Sequence, residues 1–276
     1  MNELRKIKRL ISARRSSQWS SGKYDWQKPF DTLRHKWVEV PTTRSGRKST
    51  ADLLSLSDQE LLAEWTTSRQ DITTGSEFAH RGWYHTLYAE SMRGKKLLDI
   101  GSGFAIDSIT FAQHGAKVTF VDLARSNLEV VQRLCGLFSL KSTSFILMED
   151  IGSLHTLDMD YDLIMAMGSL HHAPVGIIKP EVQELVKHLK TGGRWLQLAY
   201  PKTRWIRDGS LSFDKWGEMT DGKGTPWAEW YDLPKLLHLM EPTHFDVVLS
   251  QEFHNSDFIW FDLLYRGNKM ESKFDE

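Results

Sequence analysis

Short apolar runs alternate with stretches of helical periodicity through the middle of the chain. Strands are predicted at residues 96–100, 117–122, 144–148, 161–166 and 194–199. Helices are predicted between them at residues 106–114, 126–138 and 180–189. Short, mostly apolar strands are typical of sheets covered on both faces, and their alternation with helices indicates parallel strands. This region is therefore predicted to be a doubly wound α/β domain.

The segments on either side of this region have different patterns. Residues 201–231 show no clear periodicity, so we expect an irregular insertion there. A helix and two strands are predicted after it, at residues 232–240, 245–253 and 258–265. We expect the two strands to extend the sheet as an antiparallel hairpin. Residues 1–90 are mostly polar with helical patterns, and we expect them to cap the sheet domain, which would span residues 91–276.

Composition narrows the class of protein further. The chain has 35 Lys and Arg against 36 Asp and Glu, so its net charge gives no reason to expect nucleic acid as a partner. No apolar run approaches the ~18 residues of a membrane span, and no apolar segment follows the N-terminus as in a secretory signal. The expected compartment is therefore the cytoplasm. The single cysteine, Cys135, excludes an intrachain disulfide.

Residues 1–15 are strongly basic, with six Lys or Arg against one acid, Glu3, and their apolar residues recur at helical spacing. Such a helix could rest on an anionic membrane surface, it could be a transit-like targeting segment, or it could be a solvated terminal helix. The pattern leaves peripheral membrane contact through this segment open.

The strongest candidate for a ligand site is the segment LLDIGSGFA at residues 97–105. Glycines at a strand-to-helix turn let the backbone approach a ligand closely, and the following helix offers unpaired N–H groups. Asp122 ends the next strand, where a carboxylate can accept both hydroxyls of a ribose. Together these features indicate a nucleotide-like ligand.

Two cofactor classes share this geometry. A dinucleotide fingerprint needs G-x-G-x-x-G/A, but the sixth position counted from Gly101 is Ile106. Asp99 lies two residues before the first glycine, where a carboxylate suits a cationic amino group better than a pyrophosphate. S-adenosylmethionine carries such a group and no phosphate. The pattern favours it, and a nicotinamide-dependent oxidoreductase remains the alternative.

The segment resembles motif I of class I S-adenosylmethionine-dependent methyltransferases of the small-molecule branch, with Ala105 in place of the last glycine. Segments at residues 120–126, 148–151, 161–172 and 189–194 resemble later motifs of the family in order. The resemblance covers about residues 80–265. It implies a Rossmann-like seven-stranded sheet, S-adenosylmethionine as cofactor and methyl transfer as the activity.

The resemblance also implies which residues bind the cofactor. Gly101 and Gly103 would contact it through their backbone, and Asp99 would lie near its amino group. Asp122 would hold the ribose, and Gly168 would lie near the methionine part. The full predicted set is Arg81, paired with the methionine carboxylate, Asp99, Gly101, Ser102, Gly103, Asp122, Leu123, Asp150 and Ile151, which would flank the adenine, and Gly168.

His171 and His172 are the candidate catalytic residues. They follow the fourth strand at the edge of the sheet where open α/β folds place their sites. Either could be the base that a hydroxyl acceptor needs, or both could serve structure. The D/N-P-P-Y/F pattern that resembling enzymes use on amide or nucleobase nitrogens is absent. We therefore expect oxygen rather than nitrogen as the methylated atom.

Tryptophans are concentrated outside the predicted sheet, since ten of eleven lie outside residues 95–200. With neighbouring aromatic residues they could line a pocket for the acceptor, or they could pack the cap against the sheet. The candidate acceptor-binding residues are Tyr84, His85, Tyr200, Trp205, Trp227, Trp230 and Tyr231. Asp158, Asp160 and Asp162 alternate, but Asp162 fits the start of a strand, and we predict no metal site.

These patterns predict a methyltransferase that acts on a small molecule or a glycan. The remaining alternative outside the enzymes is a module that binds the cofactor without catalysing a reaction.

Overall fold

The structure, a computed structural model, describes residues 27–42, 46–74 and 81–268. The basic segment predicted at residues 1–15 lies outside this part of the chain. The first described elements are four helices and a two-stranded hairpin: α1 (Gln27–Lys36), β1 (Glu39–Pro41), β2 (Arg47–Ser49), α2 (Thr50–Ser55), α3 (Asp58–Thr74) and α4 (Trp83–Tyr88). We call this part of the chain, residues 27–88, the cap.

The cap is followed by the strands and helices of a mixed sheet. The strands are β3 (Lys96–Ile100), β4 (Lys117–Asp122), β5 (Thr143–Leu147), β6 (Tyr161–Met167), β7 (Leu189–Pro201), β8 (Trp230–Tyr231), β9 (Thr243–Phe253) and β10 (Phe258–Asn268). The helices are α5 (Ile106–Gln113), α6 (Arg125–Leu137), α7 (Val175–Lys187), α8 (Lys202–Arg207), α9 (Phe213–Asp221) and α10 (Leu233–Leu239).

Seven strands are joined in the order β5-β4-β3-β6-β7-β10-β9. The first five are parallel to one another, and β10 pairs antiparallel with both β7 and β9. This arrangement confirms the predicted Rossmann-like, mostly parallel sheet with a C-terminal antiparallel hairpin. The short strand β8 pairs parallel with the last two residues of β7, Tyr200 and Pro201.

Two apolar cores lie on opposite faces of the sheet, because successive residues of a strand point to opposite sides. Leu97 packs in one core and Leu98 in the other. Helices α2 to α6 contribute to the first core, whereas α1, α7 and α10 contribute to the second. The cap therefore straddles the sheet, since α1 lies on one face and α2 to α4 lie on the other.

The segment at residues 201–231 differs from the irregular insertion that we expected. It contains α8 and α9, which are six and nine residues long. Trp216 of α9 is fully buried against Tyr200 and Ala228, so tertiary packing holds a helix too short to show periodicity in the sequence. Helix α7 also begins earlier than predicted, at Val175, because Ile177 and Ile178 are buried before Pro180.

The remaining residues singled out in the sequence have structural surroundings. Cys135 is buried in the core. Asp158 and Asp160 both pair with Lys96, and Asp162 pairs with Lys190. No helix in the described residues is both long enough and apolar enough to cross a membrane.

Candidate active site

A cavity of about 350 Å³ opens at the C-terminal edge of the parallel strands, beneath the cap. This volume is in the range of small-ligand sites, and this edge is where open α/β sheets bind ligands. Phe30, Leu33 and Trp37 line it from the end of α1, and Val40 and Arg47 line it from the hairpin. The cap therefore covers the cavity where it crosses from one face of the sheet to the other.

The cavity brings together eleven of the nineteen residues predicted for the site: Arg81, Asp99, Gly101, Ser102, Gly103, Asp122, Leu123, Gly168, His171, His172 and Tyr200. The other eight do not line it: Tyr84, His85, Asp150, Ile151, Trp205, Trp227, Trp230 and Tyr231. The residues brought together are those that follow the ends of neighbouring parallel strands.

The turn after β3 has the backbone conformation that its glycines predict. Gly101 and Gly103 have φ angles of +71° and +52°, and Ala105 has a φ of +51°. A Cβ on Gly101 would lie 2.4 Å from the Cβ of Ser169, so only glycine fits there. The Ser169 hydroxyl donates to the carbonyl of Ile100 at 2.5 Å and holds this close approach.

Asp99 is buried at the end of β3 and lines the cavity. The hydroxyl of Ser108 donates to its carboxylate at 2.5 Å. Burial raises the pKa of Asp99 to about 7, with the nearby carboxylates of Asp107 and Asp122 acting in the same direction. A cationic group beside Asp99 would therefore find a carboxyl that ionises near neutral pH.

Asp122 is the last residue of β4, and its two carboxylate oxygens accept different numbers of hydrogen bonds. Oδ1 accepts from the backbone N–H of Ala124 at 2.9 Å and from the side chain of Asn127 at 3.1 Å. Oδ2 accepts from the N–H of Gly103 at 3.0 Å. Burial raises the pKa of Asp122, and these donors oppose that shift. Oδ2 retains capacity to accept a further hydrogen bond, as a ribose hydroxyl requires.

Three residues predicted for the site, Arg81, Tyr84 and His85, contact the buried carboxylate of Asp107. Arg81 and His85 both pair with this carboxylate, and the hydroxyl of Tyr84 donates to it at 3.0 Å. Burial by itself would raise the pKa of Asp107, but Arg81 and His85 outweigh that effect and lower it. Tyr84 and His85 therefore hold this carboxylate instead of lining the cavity, and Arg81 lines it with its guanidinium already paired.

The segment after β5 is covered by the cap. Asp150 is exposed and caps the 3-10 helix Ile151–Thr156 by accepting from the N–H of Ser153 at 3.1 Å. Arg34 of α1 donates to the carbonyls of Met148 and Glu149. Met148 lines the cavity here, whereas Asp150 and Ile151 do not. Their role beside an adenine stays a prediction.

His171 and His172 line the cavity and follow Gly168 in the loop after β6. The His171 ring lies 4.1 Å from the His172 ring and 4.3 Å from the Tyr200 ring, between centroids. The Trp37 ring of the cap packs on His172 at 4.2 Å. Burial lowers the pKa of both histidines, that of His171 strongly, so both rings are neutral near pH 7.

Asp221, which the sequence arguments missed, lines the cavity together with His172 and Tyr200. It is buried at the end of α9, and the Tyr200 hydroxyl donates to both of its oxygens at 3.0 Å. Arg47 of β2 donates to its Oδ1 at 2.8 Å. Nothing in the sequence marks Asp221, because its partners are 21 and 174 residues away.

The remaining aromatic candidates pack other parts of the structure. Tyr231 is fully buried and donates to the carbonyl of Leu170 at 2.9 Å. The Trp205 indole donates to Leu211, and that of Trp227 donates to Glu229. The Trp230 ring lies 4.0 Å from the ammonium of Lys235. These contacts agree with the packing alternative. The aromatic residues that do line the cavity are Phe30, Trp37, Phe104, Tyr200 and Phe258.

The strand order, the glycine turn and the carboxylate after β4 define an α/β protein that binds a nucleotide-like cofactor at the edge of its sheet. Residues 97–193 match the family model described as methyltransferase domain. This match lies within the segment whose motifs resemble class I methyltransferases, and it agrees with that resemblance.

Curated relatives match over part of their length. The chain is 35% identical over 94 residues to the ubiquinone biosynthesis O-methyltransferase of Bordetella avium, covering 33% of this chain and 37% of the relative. It is 33% identical over 109 residues to the protein of the same name from Idiomarina loihiensis, covering 39% and 43%. The chain thus spans about two fifths of the length of these relatives.

Solved structures show the same fold. The N-methyltransferase NodS from Bradyrhizobium japonicum, in complex with S-adenosyl-L-homocysteine, superposes with a TM-score of 0.51 at 15% identity. The match covers 80% of this chain and 97% of NodS. At this identity the similarity describes the fold alone.

Proposed function

We propose that this protein transfers a methyl group from S-adenosylmethionine to a hydroxyl oxygen of a small molecule or a glycan. The observation that carries the proposal is that one cavity is lined both by the glycine turn, Asp99 and Asp122 and by His171 and His172. The methyltransferase family match over residues 97–193 supports it.

The residues present fit the cofactor. The positive φ of Gly101 and its lack of a Cβ leave its backbone open to close approach. Asp122 Oδ2 has capacity to accept from a ribose hydroxyl, and Asp99 is buried where a cationic amino group would pair with it. Ser102, Leu123 and Gly168 complete the lining. When bound, the cofactor supplies a methyl group on a sulfonium.

His171 and His172 would receive the acceptor. They follow Gly168 in the loop after β6, and a Cβ at Gly168 would lie 3.8 Å from Cε1 of His171. Both rings are neutral, so each has a nitrogen lone pair for an acceptor hydroxyl. We infer that the two histidines take part in removing the hydroxyl proton. Trp37 packs on His172 and would limit the access of water to the reacting atoms.

Two observations favour oxygen as the methylated atom. Residues 167–170, at the end of β6 and just after it, are MGSL, without the D/N-P-P-Y/F pattern, and the curated relatives are named as O-methyltransferases. The fold itself does not discriminate, since NodS is an N-methyltransferase.

Calorimetric titration with S-adenosylhomocysteine tests the cofactor assignment, with NAD and NADH as controls. We expect binding of S-adenosylhomocysteine alone. Asp122→Ala should weaken it by roughly 1–3 kcal/mol, as for a lost hydrogen bond to a charged group. Glu129→Ala, at an exposed carboxylate on α6 outside the cavity, is the matched control. Binding of NAD alone would indicate an oxidoreductase and refute the proposal.

The acceptor assignment needs a separate measurement. Hydroxylated and amine compounds, screened for uptake of labelled methyl from S-adenosylmethionine, should give methylation of hydroxyl compounds only. Methylation restricted to amines would overturn the assignment to oxygen, and cofactor binding without turnover of any compound would favour the non-catalytic module.

A further inference from the structure

His171, His172 and Asp221 form a buried cluster in the lining of the cavity. One potential ligand atom from each residue lies within 4.8 Å of those from the other two. All three side chains are less than one tenth exposed and line the cavity. They come from the loop after β6 and from the end of α9, so the fold brings two imidazoles and one carboxylate together.

His171 has no hydrogen-bond partner among the described residues at either ring nitrogen, although both nitrogens are buried. Leaving a buried polar group unpaired costs about 1–3 kcal/mol. Since its ring faces the cavity, a ligand there that accepts a nitrogen lone pair would remove this cost.

His172 has its tautomer set by the protein. Its Nδ1 lies 3.2 Å from the carbonyl of Trp227, and because a carbonyl only accepts, Nδ1 carries the proton. The lone pair is then on Nε2, which lies 3.9 Å from Oδ1 of Asp221. A backbone carbonyl that orients an imidazole in this way is typical of metal-binding histidines.

The distance between these two atoms suits a cation between them. A nitrogen lone pair and a carboxylate oxygen that face each other without a proton repel each other. Ligand bonds to Zn²⁺ are ~2.0–2.2 Å long, so two ligand atoms of a tetrahedral site lie roughly 3.3–3.6 Å apart. The observed 3.9 Å would need to shorten by only a few tenths of an ångström when the ion binds.

We propose that His171, His172 and Asp221 bind one divalent transition-metal ion of the Zn²⁺ type, which holds the hydroxyl oxygen of the acceptor. Two imidazole ligands select such an ion over Mg²⁺ or Ca²⁺, which prefer oxygen. Three protein ligands leave a fourth position open, as in catalytic zinc sites. The role of the ion rests on the proposed methyl transfer, whereas the binding of the ion does not.

The two histidines would help to remove the proton of the acceptor hydroxyl by holding the ion to which that hydroxyl binds. A hydroxyl at the open position has a lowered pKa, because the ion stabilises the negative oxygen. Its proton leaves to water. The oxygen lone pair then forms the bond to the methyl carbon while the carbon–sulfur bond breaks, and S-adenosylhomocysteine is the second product.

Arg47 competes with the ion for the same oxygen. Its guanidinium lies 2.8 Å from Oδ1 of Asp221, whereas Thr220 donates to Oδ2 at 2.8 Å. The Arg47 side chain is 30% exposed on the cap hairpin, so it has room to move away. Removing this positive charge should therefore strengthen metal binding.

Calorimetric titration of the full chain, first treated with a chelator, tests the site with Zn²⁺ and with Mg²⁺. We expect one Zn²⁺ site and no Mg²⁺ binding. His171→Ala, His172→Ala and Asp221→Asn should each weaken Zn²⁺ binding by more than about 100-fold, since even groups that only orient ligands contribute about 10–100-fold. Arg47→Gln should bind Zn²⁺ more tightly.

His188→Gln is the matched control, because His188 is a buried histidine outside the cavity whose Nε2 has no hydrogen-bond partner among the described residues. It should leave Zn²⁺ binding unchanged. S-adenosylhomocysteine binding, measured on each variant, checks the fold and separates the two proposals. Cofactor binding without Zn²⁺ binding would overturn the metal site alone.

Two further outcomes would also overturn the site: equal Zn²⁺ binding by the wild type and His171→Ala, or loss of binding in His188→Gln. His171→Ala decides the matter even if Asp221→Asn fails to fold, since the His171 ring makes no hydrogen bond to the described residues.

Discussion

The side-chain amide of Asn127 donates to Oδ1 of Asp122 at 3.1 Å and to the carbonyl of Trp37 at 2.8 Å. Its oxygen accepts from the hydroxyl of Thr50 at 2.8 Å. One buried amide on α6 therefore joins the carboxylate proposed to hold the ribose to both ends of the cap hairpin. The position of the cap over the cavity is thereby coupled to the cofactor end of the site.

Asn127→Ala should loosen this coupling. The substitution leaves the carbonyl of Trp37 and the hydroxyl of Thr50 without this partner, so we expect the free energy of unfolding to fall by about 1–3 kcal/mol. S-adenosylhomocysteine should also bind more weakly. Urea unfolding and calorimetry measure the two effects. Gln132→Ala, at an exposed amide on the same helix, should change neither, and similar effects in both variants would contradict the coupling.

Gly101→Ala should destabilise the protein more than Gly94→Ala. Both glycines have similar φ angles, +71° and +73°, so each substitution costs about 1–2 kcal/mol in backbone strain. Only at Gly101 would the new Cβ meet another side chain, that of Ser169, because nothing lies within 4 Å at Gly94. Unfolding free energies of the two variants isolate the steric contribution, and equal losses would show that Ser169 moves away freely.

Cofactor affinity should increase with pH through neutrality. Because burial raises the pKa of Asp99 to about 7, its carboxyl is mostly protonated at pH 6 and mostly ionised at pH 8. The ionised form attracts the amino group of the ligand, so S-adenosylhomocysteine should bind up to about tenfold more tightly at pH 8 than at pH 6.

Asp99→Asn should remove this dependence on pH. 5′-Methylthioadenosine, which lacks the amino-acid part, should bind the wild type equally at both pH values. A pH dependence that persists in Asp99→Asn would assign the effect to another group.

Glu181→Gln should stabilise the protein at alkaline pH. Glu181 is buried in α7 and lines the cavity, and burial raises its pKa to about 8. Between the ordinary glutamate pKa of about 4.3 and pH 8, the folded state keeps a proton that the unfolded state loses, so stability falls as pH rises. The amide variant should be more stable than the wild type by roughly 1–3 kcal/mol at pH 8 and by little at pH 4.

Urea unfolding at the two pH values measures this difference. Glu129→Gln, at an exposed carboxyl on α6, is the control and should follow the wild type at both. A wild type whose stability does not fall between pH 5 and 8 relative to Glu181→Gln would contradict the raised pKa.

Local patterns predicted the central sheet well. The bounds of β3 and β4 agree with the structure at both ends, because each is an apolar run bounded by a lysine and by an aspartate or a glycine turn. The turn after β3 and Asp122 were also recognisable, since a glycine turn and the residue that ends the next strand are local features. Helices α8 and α9 were not predicted, because the burial of Trp216 depends on residues from other segments.

The sequence by itself therefore determined the parallel strands of the sheet, the glycine turn and the position of Asp122, because each of these features depends on residues close together in the chain. Only the tertiary structure decided what surrounds His171 and His172 and what covers the cavity. Trp37 and Arg47 reach His172 and Asp221 because the cap crosses the edge of the sheet. Contacts between segments more than a hundred residues apart depend on how two apolar faces pack against the sheet, and periodicity along one segment carries no record of that packing.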